Sequence, residues 1–503
     1  LFCFEGTQKP KPRQQREKAG MDVPQPHVVI LPFPAQGHVK PMLMLAKLLC
    51  DAGLDVTFIN TDHNHSHIMQ LIDQSAFHSR FPRLRFMSIP DGLPPEHPRS
   101  GRQATDLFFS TTSVSKPKFM DLLLSLSQKL SGPPTCIIAD GIMSFAIDVA
   151  EELQIPLITF RTYNACCTWI YFHIAKLIQE GEIPFQGDDM NQPITCIPEL
   201  ESLLRRKDLP GICRVEEVEN PILQFYISQT SAMTRASALI LNTFDELEAP
   251  FISRLGSIFS RIYTIGPLHA LLESRINDHP PSDSSNGSLR KQDRTCLTWL
   301  DSQPSDSVIY VNFGSVVGLT HDQLLEFWYG LVNSEKPFLW VIRPGLLGKD
   351  EEVGGTPAEL MIGTKERGCI VGWAPQEEVL AHRAVGGFLT HGGWNSTQES
   401  ILAGVPMICW PQIADQQVNS RGVSDLWRIG LDMKDTCDRL IVEKMVRDLM
   451  EGKREKIMKS SAEIARMARD SVEEGGSSYC NLEKLIEDIR SIKSAQYSSK
   501  DKE

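Results

Sequence analysis

No apolar run in this 503-residue chain approaches the ~20 residues that a helical membrane span needs. The longest contenders, Met42–Cys50 and Pro406–Trp410, are interrupted or far too short. Basic charge is also scarce: 51 Lys and Arg face 63 Asp and Glu, a net charge of −12. That balance excludes the basic face of a nucleic-acid binder. The 12 cysteines contain no Cys-x-x-Cys and a single adjacent pair, Cys166–Cys167. Their spacing spells neither a zinc ribbon nor a disulfide framework. They read as small buried hydrophobes in a reducing compartment, which points to the cytoplasm. Gly-x-Gly-x-x-Gly, Gly-x-Ser-x-Gly and Asp-x-Asp are missing as well. Those absences argue against a dinucleotide oxidoreductase, an α/β-hydrolase and a metal-held nucleotide sugar, respectively.

What is present is an ordinary globular composition, 41% apolar and 23% charged. Residues 1–20 begin with Leu1 and are polar and basic, without the apolar stretch of a signal peptide. They read as a disordered, non-native leader (1–24 in domain terms), dispensable for folding. From Val23 onward, short apolar runs alternate with amphipathic helical stretches. Runs at His27–Pro32, Asp55–Asn60, Arg85–Ile89, Thr135–Ala139, Pro156–Phe160, Ala238–Asn242 and Ile262–Ile265 are expected strands. Their near-continuous apolarity suits a parallel sheet covered on both faces. Leu271–Arg294 contains HPPSDSSNGS, a composition break that reads as a linker or surface loop. The alternation then restarts, with strands expected at Ser307–Phe313, Pro337–Ile342, Cys369–Val371, Gly387–Thr390 and Pro406–Cys409. The expectation is α/β: two doubly wound domains across a cleft, at 25–266 and 301–476. A linker over 267–300 and a terminal helix and tail at 477–503 complete it.

Three motifs carry chemistry. Pro32-Phe33-Pro34-Ala35-Gln36-Gly37-His38 follows the first strand, so His38 stands at the carboxyl edge of the sheet, where ligands bind in open α/β folds. An imidazole titrates near neutrality and suits removal of a hydroxyl proton. A lone histidine there is, however, more commonly a packing or helix-start residue. Asp140, in Ala139-Asp140-Gly141, ends the fourth strand and reads alone as a helix cap. At the same sheet edge as His38, its carboxylate could also fix the imidazole tautomer. Trp373–Gln416 reads WAPQEEVLAHRAVGGFLTHGGWNSTQESILAGVPMICWPQIADQ. It offers an aromatic platform for a flat base, then a Gly-rich turn whose backbone N–H groups open a helix suited to a diphosphate. Gln376 and Glu399 are candidates for ribose hydroxyls, and Asp415 and Gln416 for sugar hydroxyls.

That segment resembles the signature of the plant family 1 UDP-glycosyltransferases, and the resemblance extends over essentially all of residues 25–490. It implies a GT-B fold, two Rossmann-like domains with the acceptor mainly in the first and the nucleotide sugar in the second. By motif, it implies that His38 is the general base and Asp140 its charge-relay partner. Thr162 would touch the sugar, and Ser315, His391, Asn395 and Ser396 the diphosphate. Trp373 would stack on uracil, Ala374 would supply backbone contacts and Gln376 would face the ribose. Trp394 and Glu399 would complete the donor pocket, with Asp415 and Gln416 gripping a hexose. The terminal Gln is associated with glucose more than galactose. The chain departs from the common HCGWNS form with Gly392 in place of Cys, which removes no polar ligand.

The resemblance further implies inverting transfer from UDP-glucose to a hydroxyl, or a carboxyl, of a small lipophilic metabolite, with no metal or other cofactor. The partners expected are therefore UDP-glucose and a small acceptor, with the protein a monomer. At subgroup level it is similar to iridoid-type glucosyltransferases; flavonoids, phenols, terpenols and cyanohydrins are alternative acceptors. A non-catalytic UDP-sugar sensor is the competing class, disfavoured by the presence of both His38 and Asp140. The acceptor wall is expected at Phe33, Met143, Ser144, Tyr163, Asn164 and Trp169, with segments of 180–230. Arg161 reads either as a solvated or salt-bridged arginine or as a cation near the acceptor, where its guanidinium would grip a carboxylate.

Overall fold

The computed structural model describes residues 25–97, 99, 103, 105–130, 132–276, 290–343, 346 and 367–500. The expected leader at 1–24 lies outside them. Among the described residues, thirteen strands form two parallel sheets. The first holds β1 (His27–Leu31), β2 (Asp55–Thr61), β3 (Leu84–Ile89), β4 (Cys136–Asp140), β5 (Leu157–Arg161), β6 (Ala238–Leu241) and β7 (Ile262–Thr264), in the order β3-β2-β1-β4-β5-β6-β7. The second holds β8 (Val308–Asn312), β9 (Phe338–Val341), β10 (Gly368–Val371), β11 (Val385–Thr390), β12 (Met407–Cys409) and β13 (Gly430–Asp432), in the order β10-β9-β8-β11-β12-β13.

The strand sequences explain their burial. Along β1, Val29 and Leu31 enter one apolar cluster while Val28 and Ile30 enter another on the opposite face. In β8, Ile309 and Val311 face one layer and Val308 and Tyr310 the other. A period of two with both faces apolar is what a helix-covered parallel strand requires. In both sheets the strand order reverses beside the first strand, between β1 and β4 and between β8 and β11. Such a reversal leaves a crevice at the carboxyl ends of the strands.

The stretch expected as a linker differs from that reading at both ends. Leu268–Ile276 is a helix whose Leu268 and Leu271 are buried beside the first sheet, and Thr295–Asp301 is a helix that buries Cys296 and Leu300. Composition did not mark the apolar helix at the start of this stretch, and the Pro/Ser run itself falls within 277–289, outside the described residues. The helix Ser477–Lys500 returns to the first sheet, where Leu482, Leu485, Ile486 and Ile489 join the cluster of Val28 and Ile30.

The two sheets are tied together by a buried ion cluster. Asp208, fully buried, lies 2.7 Å from Lys434 Nζ and 2.7 Å from Arg205 Nε, with Arg421 Nε at 3.6 Å. Burial pushes the Asp208 carboxyl up, but Arg205 and Lys434 together hold it below the usual carboxylate range. Its stabilising contribution is therefore present above about pH 4 and is lost as pH falls. Asp208→Ala leaves the buried Lys434 ammonium with Asp432, 3.2 Å away, as its remaining carboxylate and removes the partner of Arg205, and is expected to cost about 3–5 kcal/mol in denaturant unfolding. The double variant Asp208→Leu/Lys434→Met is expected to lose less than Asp208→Ala alone.

Candidate active site

The crevice of the first sheet brings together residues far apart in sequence. His38 lies in the first turn of the helix Gln36–Asp51, which starts after β1, and Asp140 is the last residue of β4. His38 Nδ1 is 2.7 Å from Asp140 Oδ2, and Thr162 Oγ1 is 3.0 Å from the same nitrogen. The other Asp140 oxygen accepts from the Ile142 N–H at 3.1 Å. Asp140 is thus both a cap-like turn residue and the partner of the imidazole. With the carboxylate on Nδ1–H, the free Nε2 is the basic nitrogen, the tautomer that accepts a proton from a hydroxyl.

The crevice of the second sheet faces it. Ser315 follows β8, and His391 follows β11. Gly314 has φ +75°, and a Cβ there would fall 2.6 Å from His391 Nε2, so only glycine permits this approach. Gly392 also has φ +75°, so the residue that departs from the common motif sits in a backbone conformation that favours glycine. The helix Trp394–Ala403 begins just beyond, with Asn395 Nδ2 donating to the Gly37 carbonyl at 2.8 Å. Trp394 Nε1 donates to the Asn242 carbonyl at 2.7 Å. Gln376 Nε2 donates to Glu399 Oε2 at 2.6 Å and to Ser396 Oγ at 2.9 Å, while Lys40 Nζ reaches Glu399 Oε1 at 2.6 Å. Asp415 Oδ2 accepts from Asn419 Nδ2 at 2.7 Å, and Gln416 Oε1 accepts from the Gln412 and Ile413 N–H groups. Burial raises Asp415 to about 6.

One cavity of about 1520 Å³ runs between the sheets. It is lined by His38, Thr162, Ser315, Trp373, Ala374, Gln376, His391, Trp394, Asn395, Ser396, Glu399, Asp415 and Gln416. Phe33 and Tyr163 also line it, joined by Leu107, Phe108, Ile212, Val215, Ile222 and Tyr226. Phe108 stacks on Phe33 with centroids 5.0 Å apart. Five residues expected on the acceptor wall do not reach the cavity. Met143 packs in the apolar core, and the Ser144 N–H donates to Gln229 Oε1. Asn164 caps the helix Ala165–Gln179 and donates to Asn419 Oδ1 at 2.8 Å across the domain seam. Trp169 donates to the Pro198 carbonyl, and Arg161 is 1% exposed, beneath tyrosine rings. Arg161 and Asn164 flank the cavity residues Thr162 and Tyr163 in sequence, but adjacency in a strand or turn points the neighbour inward.

Two family models match the chain: "Glycosyltransferase, N-terminal domain" over residues 25–270 and "UDP-glucoronosyl and UDP-glucosyl transferase" over 284–466. The chain is 51% identical over 472 residues to 7-deoxyloganetic acid glucosyltransferase of Catharanthus roseus, covering 93% of this chain and 98% of that protein. It belongs to the plant family 1 UDP-glycosyltransferases. Mogroside I-A1 synthase of Siraitia grosvenorii is 49% identical, covering 90% of this chain and 86% of its own. Among solved structures, a UDP-glucose: anthocyanidin 3-O-glucosyltransferase in complex with UDP aligns with TM-score 0.80 at 27% identity, over 93% of this chain and 100% of that one. Os79 from O. sativa in complex with UDP aligns with TM-score 0.76 at 27% identity, over 92% and 100%. The fold is GT-B, as the resemblance implied.

Several residues of this UDP-glycosyltransferase's cleft carried no signal in the sequence. Lys40 pairs with Glu399, 359 positions away, and also lies 2.6 Å from Glu377. Asn419 joins Asp415, Asn164 and the Gly392 carbonyl. Phe108 and Tyr226 come from helices outside every motif. No local pattern marks a residue whose partner comes from the other domain.

Burial lowers the His391 imidazole to about 4, helped by Arg343 and opposed by a backbone contact to Asn312. In the free glycosyltransferase it is therefore neutral at pH 7. Because its unfolded pKa is near 6.5, its contribution to stability is full above that pH and is lost as pH falls toward 4. An NMR titration of the free protein is expected to show several histidines still neutral at pH 6, His27 and His63 among them, of which the one lost in His391→Ala is His391. UDP binding should raise its pKa.

Proposed function

We propose that this UDP-glycosyltransferase transfers glucose from UDP-glucose, with inversion, to a hydroxyl of a small terpenoid of the iridoid class. The acceptor to test first is 7-deoxyloganetic acid. The observation that carries the reading is the His38–Asp140 pair, 2.7 Å apart, opening on the same cavity as Trp373, His391 and Asp415. In this reading His38 Nε2 takes the acceptor proton as the oxygen attacks the anomeric carbon from the face opposite UDP. Asp140 stabilises the imidazolium that forms. Thr162 steadies the same imidazole and touches the sugar. The transition state has oxocarbenium character.

The donor roles follow by position. Trp373 stacks on uracil, with the Ala374 backbone beside it, and Gln376 and Glu399 take the ribose. Ser315, His391, Asn395, Ser396 and the N-terminal end of the helix Trp394–Ala403 receive the diphosphate, in a pocket completed by Trp394. Asp415 and Gln416 hold the hexose. These donors meet the leaving-group charge without a metal in the mechanism. Phe33, Phe108, Tyr163 and Tyr226 form the acceptor wall, which is apolar and aromatic as a small terpenoid requires. Two relatives of similar identity carry names of different kinds, one for an acceptor, 7-deoxyloganetic acid, and one for a product, mogroside I-A1. The named acceptor is the one proposed. The described cysteines are all free thiols, which supports a reducing, cytoplasmic setting, and the protein is taken as a monomer.

His38→Ala is expected to lower kcat by roughly 10²–10⁴-fold while leaving UDP affinity nearly unchanged. Turnover at the wild-type rate would remove His38 from the base role. With equal concentrations of donors, UDP-glucose is expected to outpace UDP-galactose and UDP-glucuronate, and the rate is expected to survive EDTA. Preference for galactose, or loss on chelation, would contradict the donor assignment.

A further inference from the structure

The acceptor wall has a buried cation behind it. Arg161 ends β5 and is 1% exposed, with its guanidinium carbon 4.8 Å from the Tyr163 ring centroid and 5.0 Å from that of Tyr171. Its one hydrogen bond among the described residues is a long one, Nη2 to Thr230 Oγ1 at 3.4 Å. Nε and Nη1 have no partner there, and neither has the nearby Tyr171 hydroxyl. Gly141 makes room for the group: a Cβ at that position would lie 3.1 Å from Nη1.

Stacking on tyrosine faces contributes to holding the guanidinium but does not satisfy N–H groups that lie in its plane. Arginine cannot discharge itself by losing a proton, so an uncompensated guanidinium in the interior is costly. The two unsatisfied guanidinium nitrogens can only donate, and the Tyr171 hydroxyl can donate as well as accept. In front of them, on the cavity wall, stand Tyr163 and Tyr226, 5% and 3% exposed, with their hydroxyls 3.3 Å apart. Burial pushes both phenols up, so both are neutral donors at pH 7. Two hydroxyls that share one mutual bond leave one O–H hydrogen for a ligand. The cluster thus has more hydrogen-bond donors than acceptors; the acidic group it feels, Asp415, acts on Arg161 and Tyr163 through space while its Oδ2 accepts from Asn419.

We propose that the Tyr163–Tyr226 end of the acceptor cavity is a carboxylate subsite, with Arg161 acting through the tyrosines as the positioning cation, so that the preferred acceptor is a hydroxy acid. The carboxylate accepts the one O–H that the Tyr163–Tyr226 pair leaves free, and the guanidinium behind Tyr163 supplies the opposite charge where little water screens it. The His38 and Tyr163 ring centroids are 6.0 Å apart, so the reacting hydroxyl and the carboxylate belong to one compact acceptor. This deepens the proposed function and rests on its placing the acceptor beside His38.

The test compares kcat/KM for 7-deoxyloganetic acid and its methyl ester, and for 4-hydroxybenzoate and its methyl ester. Calorimetric binding of each compound to the UDP-loaded enzyme runs in parallel. Wild type is expected to favour the acid of a pair by about 10-fold or more, the factor set by ~1.4 kcal/mol. Arg161→Met is expected to remove that preference mainly through KM, leaving kcat for the ester, UDP affinity and Tm close to wild type. An apolar replacement of an unpaired buried charge does not destabilise. Arg161→Lys is expected to restore part of the preference, and Tyr226→Phe to reduce it. A preference for 4-hydroxybenzoate over its ester, with neither iridoid accepted, would keep the subsite and discard the iridoid reading. No preference for the acid in either pair, by turnover or by binding, overturns the subsite. Equal loss for acid and ester in Arg161→Met together with a lower Tm also overturns it, making Arg161 a structural residue.

Discussion

Two helix N-termini, one from each sheet, meet where Asn395 Nδ2 donates to the Gly37 carbonyl at 2.8 Å. That bond joins the turn that presents His38 to the turn that opens the helix Trp394–Ala403. The rest of the cleft depends on this registration, because a proton acceptor is useful only at a fixed distance from the centre it serves. The seam extends away from it on both sides. Trp394 and Gln398 both donate to the Asn242 carbonyl, Asn164 donates to Asn419, and the Gly211 N–H donates to the Ala414 carbonyl. These are neutral, directional bonds that set an angle between two rigid sheets. The ion cluster around Asp208 lies further along the same seam.

The division of labour follows from the topology. Each sheet reverses its strand order once, and each reversal leaves a crevice at the carboxyl edge. Facing the crevices makes one cavity from two half-sites, so apolar aromatic rings gather on one wall and polar turns on the other. Neither sheet alone could build both surfaces, since the strands are committed on both faces to packing against helices.

Much of this was readable in the sequence, for identifiable reasons. Buried parallel strands are short continuous apolar runs, and twelve of the strands stand out as such; β13, Gly430–Asp432, is three residues with little apolar character and did not. The Trp373–Gln416 segment was legible because base stacking, turn glycines and a helix start must follow one another locally. The acceptor wall was not. Met143, Ser144, Asn164 and Trp169 lie on segments that follow sheet-edge motifs yet face the core or the seam, whereas Phe108 and Tyr226 arrive from helices with no motif. A wall assembled from several loops and helices is a tertiary property, and side-chain direction there is decided by packing. The two readings that the sequence allows for Arg161 both leave out its burial under Tyr163 and Tyr171, which its sequence neighbours do not encode.

Lys40 gives the seam a property of a different kind. Its ammonium bridges Glu377 and Glu399 at 2.6 Å each, from the helix that also bears His38. Glu399 Oε2 is meanwhile held by Gln376. A hydroxyl that takes either Glu399 oxygen as its acceptor must compete with one of these bonds, and on the Oε1 side the competitor belongs to the opposite domain. Filling that position and holding the domains together are therefore linked equilibria, drawing on a single carboxylate. The strength of the empty clamp sets a floor on how weakly a ligand can bind there and still be retained.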